Sequence, residues 1–174
     1  MTIWTIGHST RSAAEFVRLL EAHEIEVVAD VRRFPGSRRH PQFGIAALTE
    51  SLAAHQIDYV WLPLLGGRRK GEAGSAHLGW RNPSFRAYAA YTWTDEFAQG
   101  LDDILHIAAA RRTTLMCSEV LWWRCHRALI ADVLRFLGVP VIHIVDTKPG
   151  TQHPYTSPAR IADGQLTYPR EDCC

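Results

Sequence analysis

Thr113-Thr114-Leu115-Met116-Cys117-Ser118-Glu119-Val120-Leu121-Trp122-Trp123-Arg124-Cys125-His126-Arg127 is the stretch on which the fold turns. Residues 113–116 are a short apolar run that reads as the end of a buried strand. The helix that follows is expected over 124–137, with Leu129, Ile130, Val133, Leu134 and Leu137 recurring at helical spacing. A second apolar run at 139–145 comes straight after it, so the helix joins two strands, the repeating unit of a parallel sheet. The eleven residues from Cys117 to Arg127 carry two cysteines, one glutamate, two arginines and one histidine. A turn that only connects a strand to a helix has no need of so many reactive groups. In an open α/β sheet, ligands bind at the mouth formed by the carboxyl ends of the strands. The chemistry is expected there.

The same alternation runs outward through the chain. Residues 3–6 form a β-like run that stops at Gly7-His8-Ser9-Thr10, and Ser12-Ala13-Ala14-Glu15 is a capping box opening a helix to about His23. Residues 26–31 are a nearly continuous apolar strand, as strands buried on both faces are. A basic loop, 32–43, is broken by Pro35, Gly36 and Pro41. A helix over 45–55 and a strand over 58–62 follow. The Gly-rich stretch 63–83 exceeds a usual connection, which marks a functional or a disordered loop. Helices are expected over 84–91 and from the Thr94 cap to about Ala110, and a hairpin over 160–168 around Asp163-Gly164. The fold predicted is a three-layer, Rossmann-like α/β domain. It has a mostly parallel sheet of about five strands, helices on both faces and a short C-terminal hairpin. One domain is expected over 1–174, with 170–174 a mobile tail.

At 174 residues the chain is of single-domain size, and 47% apolar and 21% charged residues are ordinary for a soluble protein. A net charge of +1 leaves whole-molecule electrostatics silent on nucleic acid. Locally the charge is uneven: Arg32, Arg33, Arg38, Arg39 and His40 cluster in one loop, Arg68, Arg69 and Lys70 in another. No apolar segment approaches the ~20 residues needed to span a bilayer, and the first residues lack a secretory lead. A cytoplasmic location is expected. Four cysteines do not make a disulfide framework, so Cys117 and Cys125 read as thiols or ligands; Cys173 and Cys174 are given no role.

If the first and fourth strands flank the topological switch point and the second lies adjacent, three turns converge. Gly7, His8 and Ser9, then Asp30 and Arg32, then Cys117, Glu119, Arg124, Cys125, His126 and Arg127 would share one mouth. Cys125, His126 and Arg127 are expected at the first turn of a helix, where free N–H groups and the dipole favour anions and thiolates. Arg124 and Arg127 supply fork-like donors for phosphate. Glu119 is the nearest acid or base, with His126 and His8 as rivals, and Cys117 or Cys125 the nucleophile. Plainer readings stand beside these. Either cysteine could be core packing, Arg127 could pair with Asp132 or Glu119, and Trp122 and Trp123 could be core or lid residues. The spacing excludes several motifs. Six residues separate Cys117 from Arg124 and they are bulky, unlike a phosphatase loop. There is no CxxC, no dinucleotide glycine fingerprint and no P-loop. A zinc site drawn from Cys117, Cys125, His126 and His8 would use adjacent ligands, which rarely share one metal. No metal and no cofactor is expected.

Several segments together resemble the domain-of-unknown-function 488 family (DUF488). They are Thr5-Ile6-Gly7-His8-Ser9, Asp30-Val31-Arg32 with Pro35 and Ser37, Leu65-Gly66-Gly67, Phe85-Arg86-Ala87-Tyr88, Met116-Cys117-Ser118-Glu119 with Cys125-His126-Arg127, and His153-Pro154-Tyr155. The resemblance implies a compact α/β domain of bacteria and archaea and no particular reaction. The expectation from the residues is an enzyme acting on a phosphate-bearing substrate, a nucleotide or nucleic acid. The alternatives are a non-catalytic nucleic-acid-binding module, and a thiol redox or metal sensor.

Overall fold

Strand and helix alternate as the periodicity demands. The order is β1 (Ile3–Gly7), α1 (Ala13–Ala22), β2 (Val27–Asp30), α2 (Ile45–Ala53), β3 (Asp58–Trp61), α3 (Pro83–Tyr91), α4 (Asp95–Ala110), β4 (Thr113–Cys117), α5 (Arg127–Phe136) and β5 (Val141–Ile144). Three short strands close the chain, β6 (Thr151–Gln152), β7 (Arg160–Ala162) and β8 (Gln165–Thr167). These elements come from a computed structural model that describes residues 1–36, 38–70 and 77–170. Ser37, residues 71–76 and residues 171–174, with Cys173 and Cys174, lie outside the described residues.

Local chemistry sets the element ends. At α1 the Ser12 hydroxyl accepts from the Glu15 N–H at 3.2 Å, while the Glu15 carboxylate accepts from the Ser12 N–H at 2.7 Å, a complete capping box. Asn82 caps α3 with Pro83 in its first turn, and Thr94 caps α4. The β7–β8 hairpin turns on Asp163 and Gly164, both at positive φ, as a two-residue turn requires.

The main sheet has six strands in the order β3-β2-β4-β1-β5-β6, one more than expected because β6 adds a two-residue antiparallel edge. The other five are parallel. β1 and β4 are neighbours, and β2 completes the row on the far side of β4. From β1 the chain steps toward β3, then reverses toward β5, so its crossover helices fall on opposite faces.

The two cores follow that reversal. One face joins Trp4, Ile6, Val28 and Met116 to Phe16 and Leu20 of α1 and Leu48 and Leu52 of α2. The other joins Ile3, Ala29, Leu115 and Cys117 to Tyr88, Phe97, Ile104, Leu129 and Leu134 of α3 to α5. Successive strand residues serve alternate cores, which is the period of two expected of a sheet buried on both sides. Each fully buried Leu or Phe contributes roughly 1.5–3 kcal/mol. The direction reverses between β1 and β4, so the crevice opens beyond Gly7 and Cys117.

Candidate active site

Register brings the reactive turns together. Gly7 pairs with Cys117 and Asp30 with Met116, so three strand ends lie in one row. The pairing continues into the loops, where His8 N–H donates to the Cys117 carbonyl and Ser9 N–H to the Ser118 carbonyl, each at 2.9 Å. The chain after β4 then folds back directly over β1. A Cβ on Gly7 would lie 1.9 Å from the Glu119 carbonyl oxygen, so only glycine lets this turn close. Trp122, Trp123 and Arg124 form a single 3-10 turn, and Cys125 follows it in extended conformation.

The structure differs from expectation at the helix start. α5 begins at Arg127 with His126 as its cap residue, and Cys125 precedes it. The 3-10 turn uses the Arg124 and Cys125 N–H groups on the Leu121 and Trp122 carbonyls. The N–H groups of Ala128 and Leu129 are used on the Cys125 and His126 carbonyls. These groups are not open to an anion.

Cys125 is held by three neighbours. His126 Nε2 lies 3.0 Å from the Val31 carbonyl, an acceptor only, so Nε2 carries a proton. Its Nδ1 lies 3.6 Å from Cys125 Sγ, and Arg127 Nε donates to the same sulfur at 3.4 Å. Burial alone would push the Cys125 thiol up. A hydrogen bond from Cys117, then His126 and Arg127, more than reverse that and hold it well below the ordinary cysteine value. The Cys117 thiol moves the opposite way, raised by its hydrogen bond to Cys125 and then by burial. The two sulfurs thus move in opposite senses, the thiolate being favoured at Cys125 and the thiol at Cys117. Both are free thiols. A Cβ on Gly67 would sit 2.8 Å from His126 Nδ1, so the loop after β3 presses directly on the imidazole.

Asp30 and Arg32 form a second unit. Arg32 donates from Nε and Nη2 to the Asp30 carboxylate at 2.6–3.0 Å, and from Nη2 to the Phe43 carbonyl at 2.8 Å. Tyr59 donates its hydroxyl to Asp30 at 2.7 Å. His8 faces the Ser9 carbonyl with Nδ1 at 2.9 Å, so its Nε2 accepts from Arg32 Nη1 at 3.3 Å. Burial brings His8 down to about 4 and keeps it neutral, stacked on Phe43 at 4.1 Å.

A cavity of about 420 Å³ opens over these groups. Of the residues singled out from sequence, Cys117, Glu119, Cys125, His126, His8, Arg32 and Arg124 line it. Gly7, Ser9, Asp30 and Arg127 stand behind the wall. Gly7 and Ser9 shape the turn, Asp30 holds Arg32, and Arg127, only 1% exposed, sits under the Cys125 turn instead of facing a ligand. Its Nη2 donates to the Glu119 carbonyl and its Nη1 to Thr5 Oγ1 at 3.4 Å. Glu119 stands at the mouth, its carboxylate touched by the Leu121 N–H at 3.4 Å.

Sequence reasoning did not place Gly67, Ser84 or the Phe85 and Tyr88 rings in this wall. Gly67, Phe85 and Tyr88 were visible only through the family resemblance, and Ser84 not at all. Arg33 and Arg68 also line it, and Arg33 Nη1 donates to the Arg68 carbonyl at 3.0 Å, so the two basic loops meet. A neighbouring cavity continues along Arg33, Phe34, Arg68, Arg69, Lys70 and Tyr91. Trp122, by contrast, packs inward against His143.

The ligand atoms of Cys117, Cys125 and His126 lie within 4.8 Å of one another, a spacing one ion could span. The donor set fits a metal poorly, because the buried Arg127 guanidinium already faces the Cys125 sulfur and would repel a second cation.

The family model described as "Domain of unknown function DUF488" matches residues 12–134, well over half of the chain. No curated protein and no solved structure matches.

Proposed function

Because the chain belongs to the DUF488 family, whose description names no activity, we propose from its site that it is an enzyme acting on a phosphate-bearing substrate, a nucleotide or nucleic acid, with Cys125 as the nucleophile. The observation that carries the reading is Cys125 Sγ on a cavity wall with His126 Nδ1 at 3.6 Å and Arg127 Nε at 3.4 Å. A nucleophilic thiol needs such a proton acceptor and a neighbouring positive charge. In this reading the Cys125 proton resides with His126, whose other nitrogen is fixed by the Val31 carbonyl. Arg33, Arg68 and Arg124 on the rim hold the phosphate, and Glu119 at the mouth exchanges protons with the leaving group. The reading needs no cofactor and no membrane, and it places the protein in the reducing cytoplasm, where both thiols stay free.

Incubation with a panel of mononucleotides, oligonucleotides and phosphate esters, read by intact-protein mass and by turnover, tests it. The expected result is an adduct or product with the parent chain, lost in Cys125→Ser and lowered at least tenfold in His126→Gln. A combined Arg33→Ala, Arg68→Ala and Arg124→Ala variant should weaken substrate affinity. Equal activity in parent and Cys125→Ser would overturn the reading.

A second reading rests on the continuous Arg33, Arg68, Arg69 and Lys70 groove with Phe34 and Tyr91, which suits a non-catalytic grip on a nucleic-acid strand. Oligonucleotide binding that falls steeply with salt and is indifferent to Cys125→Ser would favour it.

A further inference from the structure

Behind the cavity wall lies a set of buried polar groups that the proposed chemistry leaves unused. Thr5, Arg127, Asp132, His143 and His153 are all at most 1% exposed, yet they occupy the packed space between β1, β5 and α5. They form one hydrogen-bonded line. Arg127 Nη1 reaches Thr5 Oγ1 at 3.4 Å, Thr5 Oγ1 reaches His143 Nδ1 at 2.7 Å, His143 Nε2 reaches His153 Nδ1 at 2.9 Å, and His153 Nε2 reaches Asp132 Oδ1 at 3.0 Å. The Asp132 carboxylate also accepts from the Thr156 N–H at 2.9 Å, the Thr156 hydroxyl and the Tyr168 hydroxyl at 3.2 Å.

With both histidines neutral, the line has a single polarity. A carboxylate only accepts, so His153 Nε2 carries its proton and Nδ1 accepts from His143 Nε2–H. His143 Nδ1 then accepts from the Thr5 hydroxyl, whose oxygen accepts from Arg127. Every proton points from the guanidinium toward the carboxylate. Charge accounting demands such an arrangement. Among the described residues no carboxylate lies within ion-pair distance of Arg127, and no Lys or Arg lies within that distance of Asp132. A buried unpaired charge is costly. Here each is answered through an aligned chain of dipoles, which strengthen one another in a dry interior. Trp122 seals the line, stacked on His143 at 4.3 Å.

We propose that Asp132, His153, His143 and Thr5 are positioning residues that hold Arg127 with its Nε on Cys125, so that a carboxylate beneath the C-terminal segment sets the reactivity of the thiol. The inference rests on Cys125 as the nucleophile. The other groups facing Cys125 or Arg127 are Cys117, His126, Tyr88 and Arg11, and none of them joins the line.

The test needs no substrate. The rate of Cys125 alkylation by iodoacetamide, located by peptide mass, is followed from pH 5 to 10 in the full chain and in Thr5→Val and Asp132→Asn. Thr5→Val keeps the shape of the side chain and removes the one hydroxyl joining Arg127 to His143. Both variants are expected to move the midpoint of the profile upward, with a fall of about tenfold in rate at pH 7, and His143→Phe should behave likewise. The sign is diagnostic. If Asp132 acted only as a distant negative charge, Asp132→Asn would favour the thiolate and move the midpoint downward. A downward shift, or a folded Thr5→Val with the parent's profile, would overturn the proposal while leaving Cys125 as nucleophile. A parent midpoint at the ordinary cysteine value would remove the nucleophile reading and this one with it. Circular dichroism of each variant shows which are folded, and Thr5→Val carries the decision if the charge or ring replacements do not fold.

Discussion

His126 has one nitrogen committed to the Val31 carbonyl, which leaves Nδ1 to share a proton with Cys125. That division depends on Gly67, where an added Cβ would come within 2.8 Å of Nδ1. Gly67→Ala should therefore keep the fold and displace the imidazole. The expected outcome is a slower Cys125 alkylation at pH 7 with a thermal midpoint within a few degrees of the parent; an unchanged rate would count against the contact. At this scale the sequence was informative where reactive residues crowd together. Cys117, Glu119, Cys125 and His126 were legible because they fall within ten positions. Thr5, Asp132, His143 and His153 span nearly the whole chain, and each alone reads as an ordinary strand, helix or tail residue. Arg127 was expected to meet a ligand and is instead buried beneath the turn. The available signal was its place beside Ala128, Leu129, Ile130 and Ala131, a run with no polar face to carry a charge out to water.

Among the elements, α1 shows how a short motif sets a helix start. The Ser12–Glu15 box was readable because both partners are three residues apart and its bonds are local. Ser12→Ala should cost about 1 kcal/mol, checked by urea unfolding, with the site's thiol profile unchanged. Helix α5 was readable in its apolar stripe, but its first two turns are buried almost all round, because the C-terminal segment lies against the face that water would otherwise cover. Asp132 on that face receives His153, Thr156 and Tyr168, and Arg135 lies over the Tyr155 ring at 4.4 Å. Periodicity reports that a face is apolar and is silent about a polar face buried by a distant segment. No helix among the described residues is long and apolar enough to cross a membrane.

For the molecule as a whole, two buried histidines set an acid limit. Burial holds His8 at about 4 and His143 at about 3, both below the 6.5 of an unfolded chain. Below pH 6.5 the unfolded chain binds more protons than the folded one. Stability is therefore fully present above about pH 6.5 and is lost as pH falls through 4, by a few kcal/mol as an order of magnitude. Urea midpoints should drop between pH 7.5 and pH 5, and equal midpoints would show that both rings take up a proton in the folded chain as readily as in the unfolded one. The three-layer architecture itself was legible, because a parallel sheet writes alternating strands and helices into the chain. The position of β4 between β1 and β2 was not, since nothing in either strand names its neighbour. That position has a consequence for how the chain is made. Ile3 to Gly7 leave the ribosome well before their partners among the described residues, Thr113–Cys117 and Val141–Ile144. The centre of the sheet must stay open until those partners are made, an unpaired apolar strand awaiting segments more than a hundred residues away. Folding dominated by such distant pairing is slow and exposed to aggregation, so yield in the cell should depend on chaperones and on the rate of translation.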